Sequence, residues 1–337
     1  MAWAHAEETG LQQAPLAKPL GPTGSHLYDR VPGGLGNVLH PIDNDHPQRY
    51  LYHSASMAAG GVAIGDVDGD GRPDIFISSG PRHNRLYHNR GDFSFEESGK
   101  RVGLAGTNVW ANGCAMADVD NDGDLDIYVC HYDHPNALYI NDGTGHFKDQ
   151  ALARGLDMED ASLMAAFCDY DRDGDLDVYV VTVRYYWPTG RPAGGIKSEH
   201  NPDGTWEVME PFTRYFDLEP GDPLAPASWA FAERSRPDKF FRNNGNGTFT
   251  DITRAAGIPA TNTFGNAAMW WDYDEDGWMD LYISNDFQEG DFLYRNQGDG
   301  TFVESIREAT PNTPWFSMGS ATGDLNNDGR LDALVGD

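Results

Sequence analysis

The sequence predicts an all-β fold of repeated four-stranded antiparallel units, and three observations carry that expectation. The first is a nine-residue pattern, Asp-x-Asp-x-Asp-Gly-x-x-Asp, which runs from Asp66 to Asp74, Asp118 to Asp126, Asp169 to Asp177 and Asp272 to Asp280. A fifth copy, Asp324 to Asp332, has Asn326 at its third position. The second observation is spacing: the first aspartates are 52, 51, 103 and 52 residues apart. A recurring period of about fifty residues with several short strands in each is the signature of propeller blades. The third is a turn signature, Asn-x-Gly with a second Gly two residues on in three of four copies, beginning at Asn89, Asn141, Asn243 and Asn296. Turn chemistry of that kind between apolar runs joins a third strand to a fourth. The expected architecture is a β-propeller of four-stranded antiparallel blades with calcium-binding loops.

Each element follows from local pattern. The segments before the loops are short and rich in small residues, as in Gly61–Gly65, Gly113–Ala117 and Ala267–Trp271. The segments after them, Asp74–Ser78, Asp126–Cys130, Asp177–Val181 and Asp280–Ser284, are β-branched and aromatic with apolar residues on both faces, as buried strands are. The unit is therefore strand, loop, strand, then a third and fourth strand, and an Ala/Gly-rich crossing such as Ala153–Leu156 or Arg254–Ile258 to the next blade. Blades start near 61, 113, 164, 267 and 319, within a propeller spanning 25–337. The last reaches only its second strand, giving four full blades and half of a fifth, an incomplete ring. His26–Val31 reads as a fourth strand that would finish the last blade of a complete ring.

The loops read as metal sites. Alternating carboxylates on a tight loop converge on one point, which suits Ca²⁺ with its roughly six to eight oxygen ligands. The expected side-chain ligands are Asp66, Asp68, Asp70 and Asp74; Asp118, Asp120, Asp122 and Asp126; Asp169, Asp171, Asp173 and Asp177; Asp272, Asp274, Asp276 and Asp280; and Asp324, Asn326, Asp328 and Asp332. The seventh residue, Arg72, Asp124, Asp175, Trp278 or Arg330, would supply a main-chain carbonyl. The Gly at position six permits the left-handed turn that brings the oxygens together. These are not EF-hands, because position twelve is Ile77, Val129, Val180, Ile283 or Val335 rather than Glu. About five Ca²⁺ are expected. Such cages are structural rather than catalytic, since four protein carboxylates leave little open coordination for substrate.

Composition limits the partners. The chain has 24 Lys and Arg against 53 Asp and Glu, a formal net charge of −29. That argues against nucleic acid and anionic membrane surfaces, both of which need cationic contacts. No run is long and apolar enough to cross a membrane, so no membrane insertion is expected. Three cysteines, Cys114, Cys130 and Cys168, do not make a disulfide framework. Hairpin register could place Cys114 opposite Cys130, although directly paired strand neighbours rarely fit disulfide geometry. Residues 1–24 read as disordered, and the start lacks the basic and apolar segments of a signal peptide. Loops of this kind nevertheless suit the calcium levels outside the cytoplasm, so a secreted, cell-surface or periplasmic location is expected.

The step of 103 residues contains one turn signature and no second aspartate loop between Asp177 and Asp272. It therefore reads as an insert of about 184–238 between the second and third strands of blade three. Its aromatic content, including Tyr185, Tyr186, Trp187, Trp206, Tyr215, Phe216 and Trp229, indicates a packed segment. His131, Asp133 and His134 are taken to lie in a solvated loop between strands two and three. Trp110, Trp270 and Trp271 read as core between blades.

The aspartate loop followed by Leu-Tyr-x-Asn-x-Gly-x-Gly-x-Phe resembles the FG-GAP/VCBS repeat, and Phe249–Ile258 narrows the likeness to the ASPIC/UnbV (cartilage acidic protein-like) family. The similarity covers about residues 55–337. The resemblance implies a secreted or surface-attached binding or adhesion protein, commonly of about seven blades with a further C-terminal domain; this chain looks truncated by comparison. A protein or glycan ligand is expected on the face opposite the calcium loops, where the insert, Pro81–His83, His131–His134 and Asn285–Glu289 would gather. The alternative is an extracellular polysaccharide hydrolase or lyase, with Asp217 and Glu219 or Asp286 and Glu289 as paired carboxylates. None of the common hydrolase, metalloprotease or nucleotide-binding motifs is present, and no catalytic residue is assigned.

Overall fold

A computed structural model describes residues 60–336 apart from 81–82, 105–108, 186–193, 221–228, 260–263 and 287–289. The expected segment 1–24 and the strand at His26–Val31 lie outside the described residues, as do Tyr186, Trp187 and Glu289.

The strands form where the alternation of the sequence places them. The first unit is a meander of β1 (Val62–Gly65), β2 (Asp74–Ile77), β3 (Arg85–Asn89) and β4 (Phe95–Glu97), paired in chain order. The second holds β5 (Trp110–Ala117), β6 (Asp126–Pro135), β7 (Ala137–Asn141) and β8 (Phe147–Asp149). The third begins with β9 (Glu159–Cys168) and β10 (Asp177–Thr182). Two small hairpins follow, β11 (Ser198–His200) with β12 (Trp206–Val208) and β13 (Phe216–Pro220) with β14 (Trp229–Glu233). The chain then returns to pair β15 (Lys239–Asn243) with β10 and β16 (Phe249–Asp251) with β15. The fourth unit is β17 (Gly265–Trp271), β18 (Asp280–Asn285), β19 (Phe292–Asn296) and β20 (Phe302–Glu304), and a last hairpin joins β21 (Gly319–Gly323) to β22 (Asp332–Gly336). Every pairing between these strands is antiparallel.

The period-two alternation of each second strand fills two cores at once. Ile127 and Val129 of β6 join Phe76 and Leu86 of the first unit, whereas Tyr128 and Cys130 join Val178 and Val180 of the third. In β10, Tyr179 and Val181 turn the other way, to Leu281 and Ile283 of the fourth unit. The sheets are thus stacked face to face, and this is why the sequence of these strands is apolar at successive positions. Trp270 packs against the core between units three and four, and Trp271 against that between units four and five. Gly60, Asn112, Leu163, Asn266 and Met318 each stand six residues before a first aspartate, and together they line one cavity of about 360 Å³. Equivalent residues of all five units therefore meet at one place.

Two sequence expectations need correction. His131–His134 is not a loop: β6 runs on through it and pairs with β9, Tyr132 opposite Ala161 and His134 opposite Asp160, so units two and three form one eight-stranded sheet. His131 is buried, its main-chain N–H donating to Asn136 Oδ1 and its Nδ1 lying 2.6 Å from the carbonyl of Pro135. Burial pushes its pKa down. Nor does Cys114 face Cys130. An irregularity between Ala111 and Cys114 shifts the register so that Cys114 pairs with Val129. Cys114 then packs towards unit one and Cys130 towards unit three, and all three cysteines are free.

The segment between β10 and β15 is tied down by charge and by aromatic contacts. Arg236 holds the carboxylate of the buried Asp160 through two hydrogen bonds of 2.6 and 3.0 Å. Arg214 pairs with Asp133 and lies 4.2 Å over the ring of Tyr185, which meets Tyr132 edge-on. Among the described residues no helix is long and apolar enough to cross a membrane.

Candidate metal centres

Each acidic loop is shaped by its own main chain. Both the fourth and the sixth residue are left-handed: φ is +57° at Asn121, +62° at Arg172 and +59° at Glu275, and +95°, +94° and +89° at Gly123, Gly174 and Gly277. Glycine takes the sixth position at no steric cost, whereas a side chain there is strained. The first carboxylate accepts the N–H of the sixth residue in every loop, from 2.7 Å at Asp66 to 3.2 Å at Asp169. The fifth accepts the N–H of the seventh, so the chain curls around the carboxylates.

The result is a set of converging oxygens. Carboxylate oxygens of Asp66, Asp68 and Asp70 lie within 4.8 Å of one another, as do those of Asp118, Asp120 and Asp122, of Asp169, Asp171 and Asp177, and of Asp272, Asp274 and Asp276. Within these groups Asp68, Asp120, Asp169, Asp171 and Asp272 each bury an Oδ1 with no hydrogen-bond partner among the described residues. Buried carboxylate oxygens without donors are costly unless a cation meets them. The donor set is all oxygen and the charge is high, which fits a hard divalent cation of the Ca²⁺ class.

The ninth residue has a different principal task. Asp74, Asp126, Asp177 and Asp280 each accept the main-chain N–H of the second loop residue and that of the third-strand Asn, the latter at 2.8 Å in all four. Asp126 and Asp280 lie outside the converging groups, while Asp74 and Asp177 belong to one. Burial pushes Asp126 and Asp177 up to about 7 and Asp280 up to about 6. At position seven Arg72 bends back to pair with Asp70 of its own loop, whereas the side chains of Asp175, Trp278 and Arg330 engage groups outside the centre. Arg72 also reaches the carbonyl of Asn89, Asp175 accepts from Asn121, Trp278 lies under Arg172 and Arg330 pairs with Glu275. In the fifth loop Asp324 accepts the N–H groups of Asp328 and Gly329, Asp332 that of Leu325, and Asn326 donates to Asp328.

Sequence reasoning gave the third-strand Asn only a turn, but the fold makes it a latch between units. Asn141 Nδ2 donates to the carbonyl of Val67, Asn243 to that of Val119 and Asn296 to that of Tyr170, each the second residue of the preceding unit's loop. The same amide oxygen accepts the N–H of Gly143, Gly245 or Gly298 in its own turn. The Gly turns thereby sit on the metal side, Gly145 over Asp68 and Gly247 over Asp120. An invariant Asn between an aromatic strand and a Gly turn was the available signal. Its cross-unit partner is 74 to 126 residues away and was not readable.

Position three rather than position seven should govern affinity. Asp120→Ala is expected to weaken one calcium site about 10-fold or more, because ligand charge sets affinity in such loops, and Asp124→Ala to leave it near the parent value. Calorimetric titration of the two variants decides this; equal losses would mean that the seventh side chain is a ligand.

Fold and loops define a class: an array of face-to-face antiparallel β units, each closed by an acidic, metal-ready loop. The chain belongs to the FG-GAP-like repeat family, whose pattern matches residues 66–129, 119–180, 229–283 and 272–335, more than half of its length. Among curated relatives it is similar to cartilage acidic protein 1 of Homo sapiens, 28% identical over 170 residues covering 49% of this chain and 24% of the relative. Similarity to the Xenopus tropicalis protein is 25% over 67% of this chain and 28% of the relative, and to the Mus musculus protein 24% over 77% and 34%. The chain thus spans about a quarter to a third of these relatives' length. Two solved structures superpose in part. An Agrocybe aegerita lectin that recognises non-reducing terminal N-acetylglucosamine has 19% identity, a TM-score of 0.36 and coverage of 82% of this chain and 74% of that one. The V. cholerae biofilm matrix protein Bap1 has 16% identity, a TM-score of 0.37 and coverage of 83% and 34%.

Proposed function

We propose that this chain is part of an extracellular, calcium-braced β-propeller that works as a binding or adhesion scaffold for protein or glycan. The observation that carries the calcium reading is the set of four converging aspartate groups with buried, donor-free oxygens. Strands one and two meet at each loop, and Arg154 of a crossing reaches back to Asp120 and Gly247 at the loop end, whereas second-to-third connections emerge at the opposite end. A cavity of about 930 Å³ lies at that end of unit two, lined among others by His131, His134, Lys148, Asp149, Gln150 and Asp157. That volume and mix of polar and apolar walls suit a small ligand or a sugar chain end. The half-exposed Trp206 with His200 against it offers a stacking surface on the neighbouring insert.

A binding role is favoured over the polysaccharide hydrolase or lyase reading because Asp217, one of the carboxylates that reading needs, faces Arg234 at 3.4 Å. A glycan array run beside a reducing-end assay separates the two. Replacing residues 190–232 by a short linker should abolish ligand binding while the calcium content stays that of the parent. Binding that survives this deletion but is lost on altering the metal-side turns at Gly143 or Gly245 would put the ligand on the other face.

A further inference from the structure

The first loop differs from the others in one residue that the calcium reading does not use. His88 precedes the latch residue Asn89 on β3, and the equivalent residues are Ile140, Arg242 and Arg295 in the next three units. Its ring is buried, 5% exposed, and its Nδ1 has no hydrogen-bond partner among the described residues. That nitrogen is aimed into the loop, 3.5 Å from Asp68 Oδ2 and 3.5 Å from Asp74 Oδ2.

Those distances are long for a hydrogen bond but suit ligands on one small ion. Two atoms each about 2.1 Å from a tetrahedral zinc lie about 3.4 Å apart. Imidazole with two carboxylates is also the donor set of a borderline transition ion rather than of calcium, which takes oxygen. Asp68 Oδ1 remains buried and without a partner, available to the calcium group that it shares with Asp66 and Asp70.

We propose that His88, Asp68 and Asp74 form a zinc-class site on the first loop, set apart from the calcium-type loops of the other units. The site stands whether or not those loops hold calcium. Co²⁺ is the probe, added to the whole chain in excess Ca²⁺. One equivalent should bind with the strong visible absorption of tetrahedral Co²⁺, be displaced by Zn²⁺, and give one contact-shifted imidazole N–H resonance. His88→Ile, which installs the residue of the second unit, should remove the absorption and weaken zinc by at least the ~100-fold that loss even of an outer-shell partner can reach. His146→Ala, at an exposed histidine of the second unit's turn, should change neither. Unaltered Co²⁺ absorption in His88→Ile overturns the proposal. So does an intact protein that shows no tetrahedral Co²⁺ and no shifted imidazole resonance, a result independent of how the variant folds.

Discussion

Removal of calcium with EDTA is expected to lower the melting temperature by on the order of 20 °C. Each site held at about 100 times its Kd adds about 2.7 kcal/mol, so four add on the order of 10 kcal/mol, and a domain of this size moves a few degrees per kcal/mol. The effect should reverse on adding Ca²⁺, and elemental analysis should find four to five ions, on the order expected for loops of this type. The metal-free protein should also show an inverted pH dependence. Asp126 and Asp177, raised to about 7, hold protons in the folded state that the unfolded chain releases near the ordinary carboxylate value. Their protonated forms therefore stabilise at low pH, and that contribution is lost as pH rises through about 7. Melting in EDTA should accordingly be higher at about pH 5 than at about pH 8. Calcium should flatten this slope by favouring the ionised loops. Identical melting with and without EDTA at both pH values would remove calcium from the account of stability.

Asn243→Ala is expected to cost about 2–4 kcal/mol, among the largest effects of any single polar substitution here. Asn243 is buried, and its amide serves the carbonyls of Val119 and Leu176 and the N–H of Gly245. Truncation leaves the buried carbonyl of Val119 without its partner and removes two further bonds in half-buried settings, at about 1–3 kcal/mol for a buried group and less where water can reach. The control is built into the chain. Asn89 stands at the same place in unit one, but among the described residues its side-chain donor reaches only the carbonyl of Pro73, in an exposed setting. Asn89→Ala should therefore cost about 1 kcal/mol. Urea unfolding of both variants measures the difference, and equal costs would show that the bond between units contributes nothing.

Much of this protein was legible in the sequence because its determinants are local. The five acidic loops, their left-handed glycines, the doubly apolar second strands and the Gly turns each depend on residues within about ten positions of one another, where pattern and backbone sterics decide.

What only the tertiary structure decided lies between units. The side chain of Asn141 serves a carbonyl 74 residues earlier, and nothing in its own strand encodes that partner. The tail of β6 keeps β5 on one edge and takes β9 on the other because Ala161 and Asp160 come alongside, so His131 is buried in a strand where its polar neighbours suggested a loop. A local register shift sends Cys114 and Cys130 to opposite faces. His88 looks like any strand residue until β3 is laid beside β2, which sets its nitrogen equidistant from two aspartates of the loop. Local pattern specifies the conformation of each segment, whereas side-chain partners across a sheet follow from register, and register is settled by packing the whole array.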